Sequence, residues 1–175
     1  MKAQGFTLLE LLVVLAIISV FAMIALPAYQ GLIARMESYT TKKHLQEAIR
    51  RAKIEARSRH KDVILCPYNT LEQCDRLGQS GVMVYVDNNG NNRRDDNDTM
   101  VFRQPLTLQH GVIAMQVSLG RHYIKFMGDN AKPRGHFGSF RYCTQTDNRN
   151  LSQQITINMH GLVTVRPGNM TQIMC

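Results

Sequence analysis

One carboxylate stands where a carboxylate is expensive. Glu10 opens an apolar run in which no charged residue occurs from Leu11 to Ala34. A charged side chain inside hydrocarbon costs roughly 2.5–3.5 kcal/mol on insertion scales, so an acid kept there is a functional group by default, and its chemistry is ion pairing. Four cysteines, Cys66, Cys74, Cys143 and Cys175, all follow the run. An even number in a small domain beyond a membrane segment reads as two disulfides made in an oxidising compartment. The rival, a zinc site, lacks any C-x-x-C pair and any His at finger-like spacing. Cys66 and Cys74 are eight apart and suit a local loop, which would leave Cys143 to tie Cys175 to a strand. Four cysteines permit three pairings, and spacing does not choose among them.

The remaining polar constellations are weaker. Asp87 to Asp98 is rich in oxygen ligands and resembles a calcium loop at its first, third, fifth and twelfth positions. That loop type requires Gly at the sixth position and a bidentate Glu at the twelfth. Here those are Asn92 and Asp98, and Arg93 and Arg94 add unfavourable charge, so a solvated hairpin loop is the better reading. The six histidines are scattered, and no nucleophile elbow, phosphate-cradling glycine loop or triad spacing is present. These features point to a non-enzyme with neither metal nor cofactor. Lys+Arg number 21 against 13 Asp+Glu, a net charge of +8, which favours anionic partners such as nucleic acid or lipid headgroups.

The elements that must position these groups follow from periodicity. A chain of 175 residues, 44% hydrophobic and 19% charged, is neither disordered nor fibrous and suits one domain with an appendage. The apolar run is long enough to cross a bilayer once, which needs about 20 residues, and no later segment is. Beyond it Leu45, Ile49, Ala52 and Ala56 recur at helical spacing, edged by Arg50, Arg51, Lys53, Arg57, Arg59 and Lys61. One helix from Phe6 to about His60 would be about 80 Å long at 1.5 Å per residue. Its residues 6–34 would sit in lipid or a filament core, and 35–61 would lie on a head. Pro27 removes the bond to the Met23 carbonyl, so a kink or short melted stretch is expected there rather than a helix end. After Lys61 the period shortens. Strands are expected near Val63–Cys66, Val82–Asp87, Met100–Arg103, Val112–Val117, Tyr123–Phe126, Phe137–Cys143, Ile155–Met159 and Leu162–Arg166, with turns at Asn88-Asn89-Gly90, His110-Gly111, Gly128-Asp129-Asn130 and His160-Gly161. The class is α+β: a long N-terminal helix on antiparallel sheet, in a head spanning 62–175.

Two stretches carry a resemblance. Gly5-Phe6-Thr7-Leu8-Leu9-Glu10-Leu11-Leu12-Val13-Val14-Leu15 resembles the class III leader of type IV pilins and type II secretion pseudopilins. The resemblance implies a leader of residues 1–5, cleavage after Gly5 by prepilin peptidase, and N-methylation of Phe6. Glu10 is then the fifth mature residue and Pro27 the twenty-second, both matching the pattern. It further implies that Glu10 pairs with the Phe6 amine of a neighbouring subunit. Gly81–Gly90, Phe102–Leu106, Ile124–Phe126, the strand ending at Cys143 and the closing Ile155…Gly161-Leu162-Val163-Thr164-Val165 resemble the heads of H-type pseudopilins and of FimU/FimT-type minor pilins.

What this implies is a minor pilin that primes pilus assembly near the tip, with other minor and major pilins and an inner-membrane assembly platform as partners. The head would be periplasmic and later extracellular. Arg35, Lys42 and Lys43 after the span, against Lys2 before it, point the other way under the positive-inside rule. The cysteines and the leader outweigh that rule, since long domains translocate largely regardless of charge. The same resemblance admits a type II secretion pseudopilin or a DNA-capturing competence pilin. The latter's Gly-Arg-x-Arg signature is replaced here by Gly161-Leu162-Val163-Thr164. Lys132, Arg134, Arg141, Arg149 and Arg166 remain as candidate phosphate contacts without sequence preference.

Overall fold

A computed structural model describes residues 7–78 and 80–168. Helix α1 runs Leu8–Arg59, 52 residues, or about 78 Å at 1.5 Å per residue. Thr7 caps it, its hydroxyl accepting from the Glu10 N–H at 3.2 Å, and His60 closes it in the left-handed conformation at φ 53°. The helix passes through Pro27 without a break. Pro27 thus does not end the helix, as expected, and of the kink or melted stretch expected there the melted stretch is absent: the ring deletes one backbone bond, and the bonds of the adjoining turns hold the helix together.

Eight strands follow: β1 Val63–Tyr68, β2 Gly81–Val86, β3 Thr99–Pro105, β4 Gly111–Val117, β5 Ile124–Phe126, β6 Gly138–Thr144, β7 Gln153–Ile157 and β8 Val163–Pro167. They form two antiparallel four-stranded sheets, ordered β3-β2-β1-β5 and β4-β6-β7-β8. Each expected strand is present, shifted by a residue or two at its ends, and the arrangement is the expected α+β one.

The two sheets close over one stripe of the helix. Leu45, Ala48, Ile49, Ala52 and Ala56 join Val63, Leu65, Val82, Val84 and Val86 of the first sheet and Ile113, Met115, Phe140, Tyr142, Ile155 and Ile157 of the second in one core. The stripe begins higher than the apolar periodicity suggests, at Ala34, Ser38 and Thr41, all buried. Small side chains at these positions let the sheets approach the helix backbone.

Strands β1 and β2 are buried on both faces, which is why Gly81-Val82-Met83-Val84-Tyr85-Val86 reads as a continuous apolar run rather than an alternation. Their second face carries Ile64, Cys66, Tyr68, Met83 and Tyr85, with Cys74, Met100 and Tyr123 packed against it. The segment after β1 folds back over this face and is fastened by the Cys66–Cys74 disulfide and by the Asp75 N–H to Pro67 carbonyl bond at 2.9 Å. Gly81 is required where β2 meets β3. Its φ is +140°, and a Cβ there would run into the Gln104 carbonyl.

Candidate assembly surface

The first half of α1 packs against nothing among the described residues. From Leu8 to Leu32 its large apolar side chains are exposed, and its most apolar 18-residue window has none of its residues buried. Glu10 interrupts that surface. In water, an acid in a first helical turn is worth about 0.3–1 kcal/mol through the helix dipole, less than its cost in lipid. The next charged side chain along the helix is Arg35, 25 residues on and about 37 Å away at the helical rise. No side chain of α1 can therefore neutralise Glu10. Gly5 and Phe6, which the cleavage and methylation readings concern, lie outside the described residues.

The second half of α1 is fastened by polar groups that periodicity did not single out. Glu37 accepts from the Gln109 N–H at 2.8 Å, the His110 N–H at 3.1 Å and the Tyr142 hydroxyl at 2.9 Å, so one carboxylate joins the helix to the β4 entry and to β6. Burial, and then the bond to Glu37, push the Tyr142 phenol well above its ordinary value. Beside it the Ser38 hydroxyl donates to the Leu151 carbonyl and accepts from the Gln153 amide, each at 2.6 Å. Further down, Lys53 donates to the Gly161 carbonyl at 2.9 Å. Residues 34, 38, 41 and 45 continue the recognised apolar spacing by one repeat upstream. That was the available signal, masked because Ser and Thr are not apolar.

The five basic candidates do not converge. Lys132 and Arg134 lie on the 127–137 loop, where Arg134 pairs with Asp129 and the neighbouring Ala131 and Pro133 pack by Gly161 at the β7–β8 turn. Arg141 and Arg166 flank Gln154 across β6-β7-β8 on the outer face of the second sheet. Arg149 sits near Gly168, past the opposite end of β8 from that turn. Of the cysteines, Cys66 and Cys74 are joined, Cys143 is disulfide-bonded, and Cys175 lies outside the described residues.

Behind β5, Asp62 binds Lys125 at 2.9 Å and accepts from the Gly128 N–H at 3.0 Å. Burial raises its pKa, but these two bonds together outweigh burial and hold the carboxyl below its usual range. His136 stacks on Tyr123 with ring centroids 5.6 Å apart, and its Nδ1 is buried without a hydrogen-bond partner among the described residues. Burial first, then Arg121 and Lys125, lower its pKa to about 4 against the pull of Asp62. The folded value lies below the unfolded one, so the unfolded chain takes up this proton first. Stability falls as pH drops from about 6.5 and levels off near 4. A proton NMR titration should place the His136 midpoint near 4, and His136→Gln should flatten the stability slope over that window. A midpoint of about 6 or higher would contradict this account.

Comparison with known proteins agrees with this geometry. The family described as "Type II transport protein GspH" matches residues 43–161, and the "Prokaryotic N-terminal methylation motif" matches residues 1–26. A fimbrial protein of Moraxella nonliquefaciens is 63% identical over 38 residues, 21% of this chain and 25% of that protein. The fimbrial protein EcpC of Eikenella corrodens is 59% identical over 34 residues, 19% of this chain and 22% of that protein. The chain thus matches about a quarter of the length of these curated relatives. No solved structure matches it. With the GspH match covering most of the chain and the methylation motif ahead of it, the chain belongs to the type IV pilin and pseudopilin family, with a head of the GspH type.

Proposed function

We propose that the chain is a minor pilin of the FimU/FimT type, a structural subunit that primes type IV pilus assembly and sits near the tip. The observation that carries this reading is an acid on an otherwise uncharged apolar half-helix whose large side chains are exposed, with no cation of its own helix within about 37 Å. Such a group is tolerable in lipid or a filament core only beside an opposite charge. Prepilin peptidase would supply one by cleaving after Gly5, exposing the Phe6 ammonium on each subunit. Glu10 then pairs with the amine of a neighbour and sets the axial register, so this subunit can pack beneath another one rather than occupy the outermost position. Before assembly, residues 6–34 anchor it in the inner membrane, where it meets the assembly platform, with residues 62–175 in the periplasm. There a Cys143–Cys175 disulfide would complete the pair begun by Cys66–Cys74.

The family's printed description favours a second reading, a minor pseudopilin of type II secretion, whereas the relatives' names favour the pilus. One experiment separates them. Sheared surface filaments and secretion-system complexes are analysed by mass spectrometry for this chain and its mature N-terminus. The pilus reading expects a methylated Phe6 peptide in the filaments. Finding the chain only with secretion complexes would transfer it to the second reading, and an intact Met1–Gly5 in assembled material would overturn both. DNA capture has less support, because the basic candidates do not converge and Arg134 is already ion-paired. It would require retention of duplex DNA that weakens steeply with salt and is lost in Arg149→Ala/Arg166→Ala.

A further inference from the structure

On the face of the first sheet turned away from α1 there is a cavity of about 430 Å³, walled by Gln73, Asn91, Asn92, Arg94, His122 and Tyr123, with Arg93 and the disulfide sulfur residue Cys74 completing it. Its volume falls in the range of small-molecule sites. The loop on one side has an unusual internal economy. Asp87 accepts from the Gly90 and Asn92 N–H groups at 2.9 and 3.0 Å. Asp95 accepts from the Asn89 and Asn91 amides and the Asn97 N–H at 2.6–2.8 Å. Asp98 accepts from the Asn88 and Asp95 N–H groups at 3.1 and 3.0 Å.

The loop's inward carboxylates are therefore occupied by amide donors. Among the described residues, neither Arg93 nor Arg94 is ion-paired, and Arg94 Nη1 donates to the Asp95 carbonyl at 3.3 Å. Two buried atoms of this wall, Asn92 Oδ1 and Arg94 Nε, have no hydrogen-bond partner among the described residues. A buried donor and a buried acceptor without partners are rare in a folded protein. Across the cavity, Arg76 donates to His122 Nδ1 at 3.0 Å, which holds the ring in place and leaves Nε2 as its other polar edge.

We propose that this cavity binds a small hydroxylated anion, a monosaccharide carrying a carboxylate or a phosphate. A guanidinium fork is the natural partner of either anionic group. The Gln73 amide suits ring hydroxyls, whereas the Asn91 amide is already engaged by Asp95 and the Arg93 N–H, and the Tyr123 ring offers an amphipathic wall. The site lies on the opposite side of the first sheet from α1, so it does not rest on the assembly reading.

The test uses the full chain in detergent micelles, followed by amide NMR with glucuronate, glucose 6-phosphate and neutral glucose as probes. Amides of Asn91–Arg94 and His122–Tyr123 should shift and saturate with an anionic sugar at a Kd in about the millimolar range. The anion that binds more tightly identifies the head group. Glucose should bind about tenfold more weakly or worse. Arg94→Gln, which removes the fork, and Asn92→Asp, which keeps the shape but sets a carboxylate against the ligand, should each weaken binding about tenfold. Unmoved β1 and β2 amides show that each variant is folded. No shift with either anion at about 50 mM, equal binding of glucose, or unchanged affinity in both variants would overturn the assignment.

Discussion

Replacing Glu10 by Val leaves the chain processed and membrane-inserted but removes it from filaments, with recovery in sheared material falling about a hundredfold. The carboxylate is not needed to hold the helix: Thr7 already caps the first turn, and a Val at an exposed apolar position inserts more easily than an acid. What the substitution removes is the counter-ion of a neighbour's terminal ammonium. Stripping one partner from a desolvated pair costs about 3–5 kcal/mol, and 2.7 kcal/mol is already about a hundredfold in an equilibrium. Asp at this position keeps the charge one methylene short, so Glu10→Asp should recover part of the incorporation. If Glu10 served merely as a first-turn acid, the loss would be under about 1 kcal/mol, less than about sixfold. Sheared-filament immunoblots distinguish these outcomes, and normal recovery of the Val variant would refute the pairing account.

Why so much of the fold was legible, and the polar anchors were not, follows from what each signal is made of. The first half of α1 announces itself because an uninterrupted apolar run has few solutions in water. The lower half gave away Leu45, Ile49, Ala52 and Ala56, since apolar residues at helical spacing must face something. The strands were bounded by turn chemistry such as Asn88-Asn89-Gly90 and His160-Gly161, where the chain has to reverse. Ala34, Ser38 and Thr41 were missed because their role is to be small, and size is invisible to a count of apolar residues. Glu37 was missed for a stronger reason. Its partners Gln109, His110 and Tyr142 lie 72, 73 and 105 residues away, and nothing local marks one acid among several on a charged helix. The same holds for the cavity over the first sheet, whose walls come from three separate loops that only the folded sheet brings together. Pro27 was legible too: helical spacing resuming at Leu45 argued against a helix end, and α1 does continue through it, with no melted stretch.

The Glu37 junction carries the second large effect. Glu37→Ala should lower the stability of the folded head by about 2–4 kcal/mol, because bonds to a charged acceptor contribute about 1.5–3 kcal/mol each and the backbone donors of the β4 entry regain only partial hydration. At the size of this chain that is a fall in melting temperature of roughly 6–12 °C. Tyr142→Phe removes one of the three donors and should cost about 1–2 kcal/mol. The double variant should lose less than the sum, since both report one shared contact.

Alkaline pH supplies an independent check. The phenol's folded pKa is raised above its unfolded value near 10, so its contribution is complete below that pH and is lost as pH rises further. Glu37→Ala removes the hydrogen bond and the negative charge but leaves the burial, so the phenol should titrate lower in the variant while remaining above a free tyrosine. Circular dichroism melts of the full chain in detergent, with absorbance titration of the phenols, measure both quantities. A Glu37→Ala chain that melts within about 1 °C of the parent, with an unaltered phenol titration, would show that the carboxylate does not hold the helix to the second sheet. The α1–head junction would then depend on the buried stripe and on the Ser38 and Lys53 bonds.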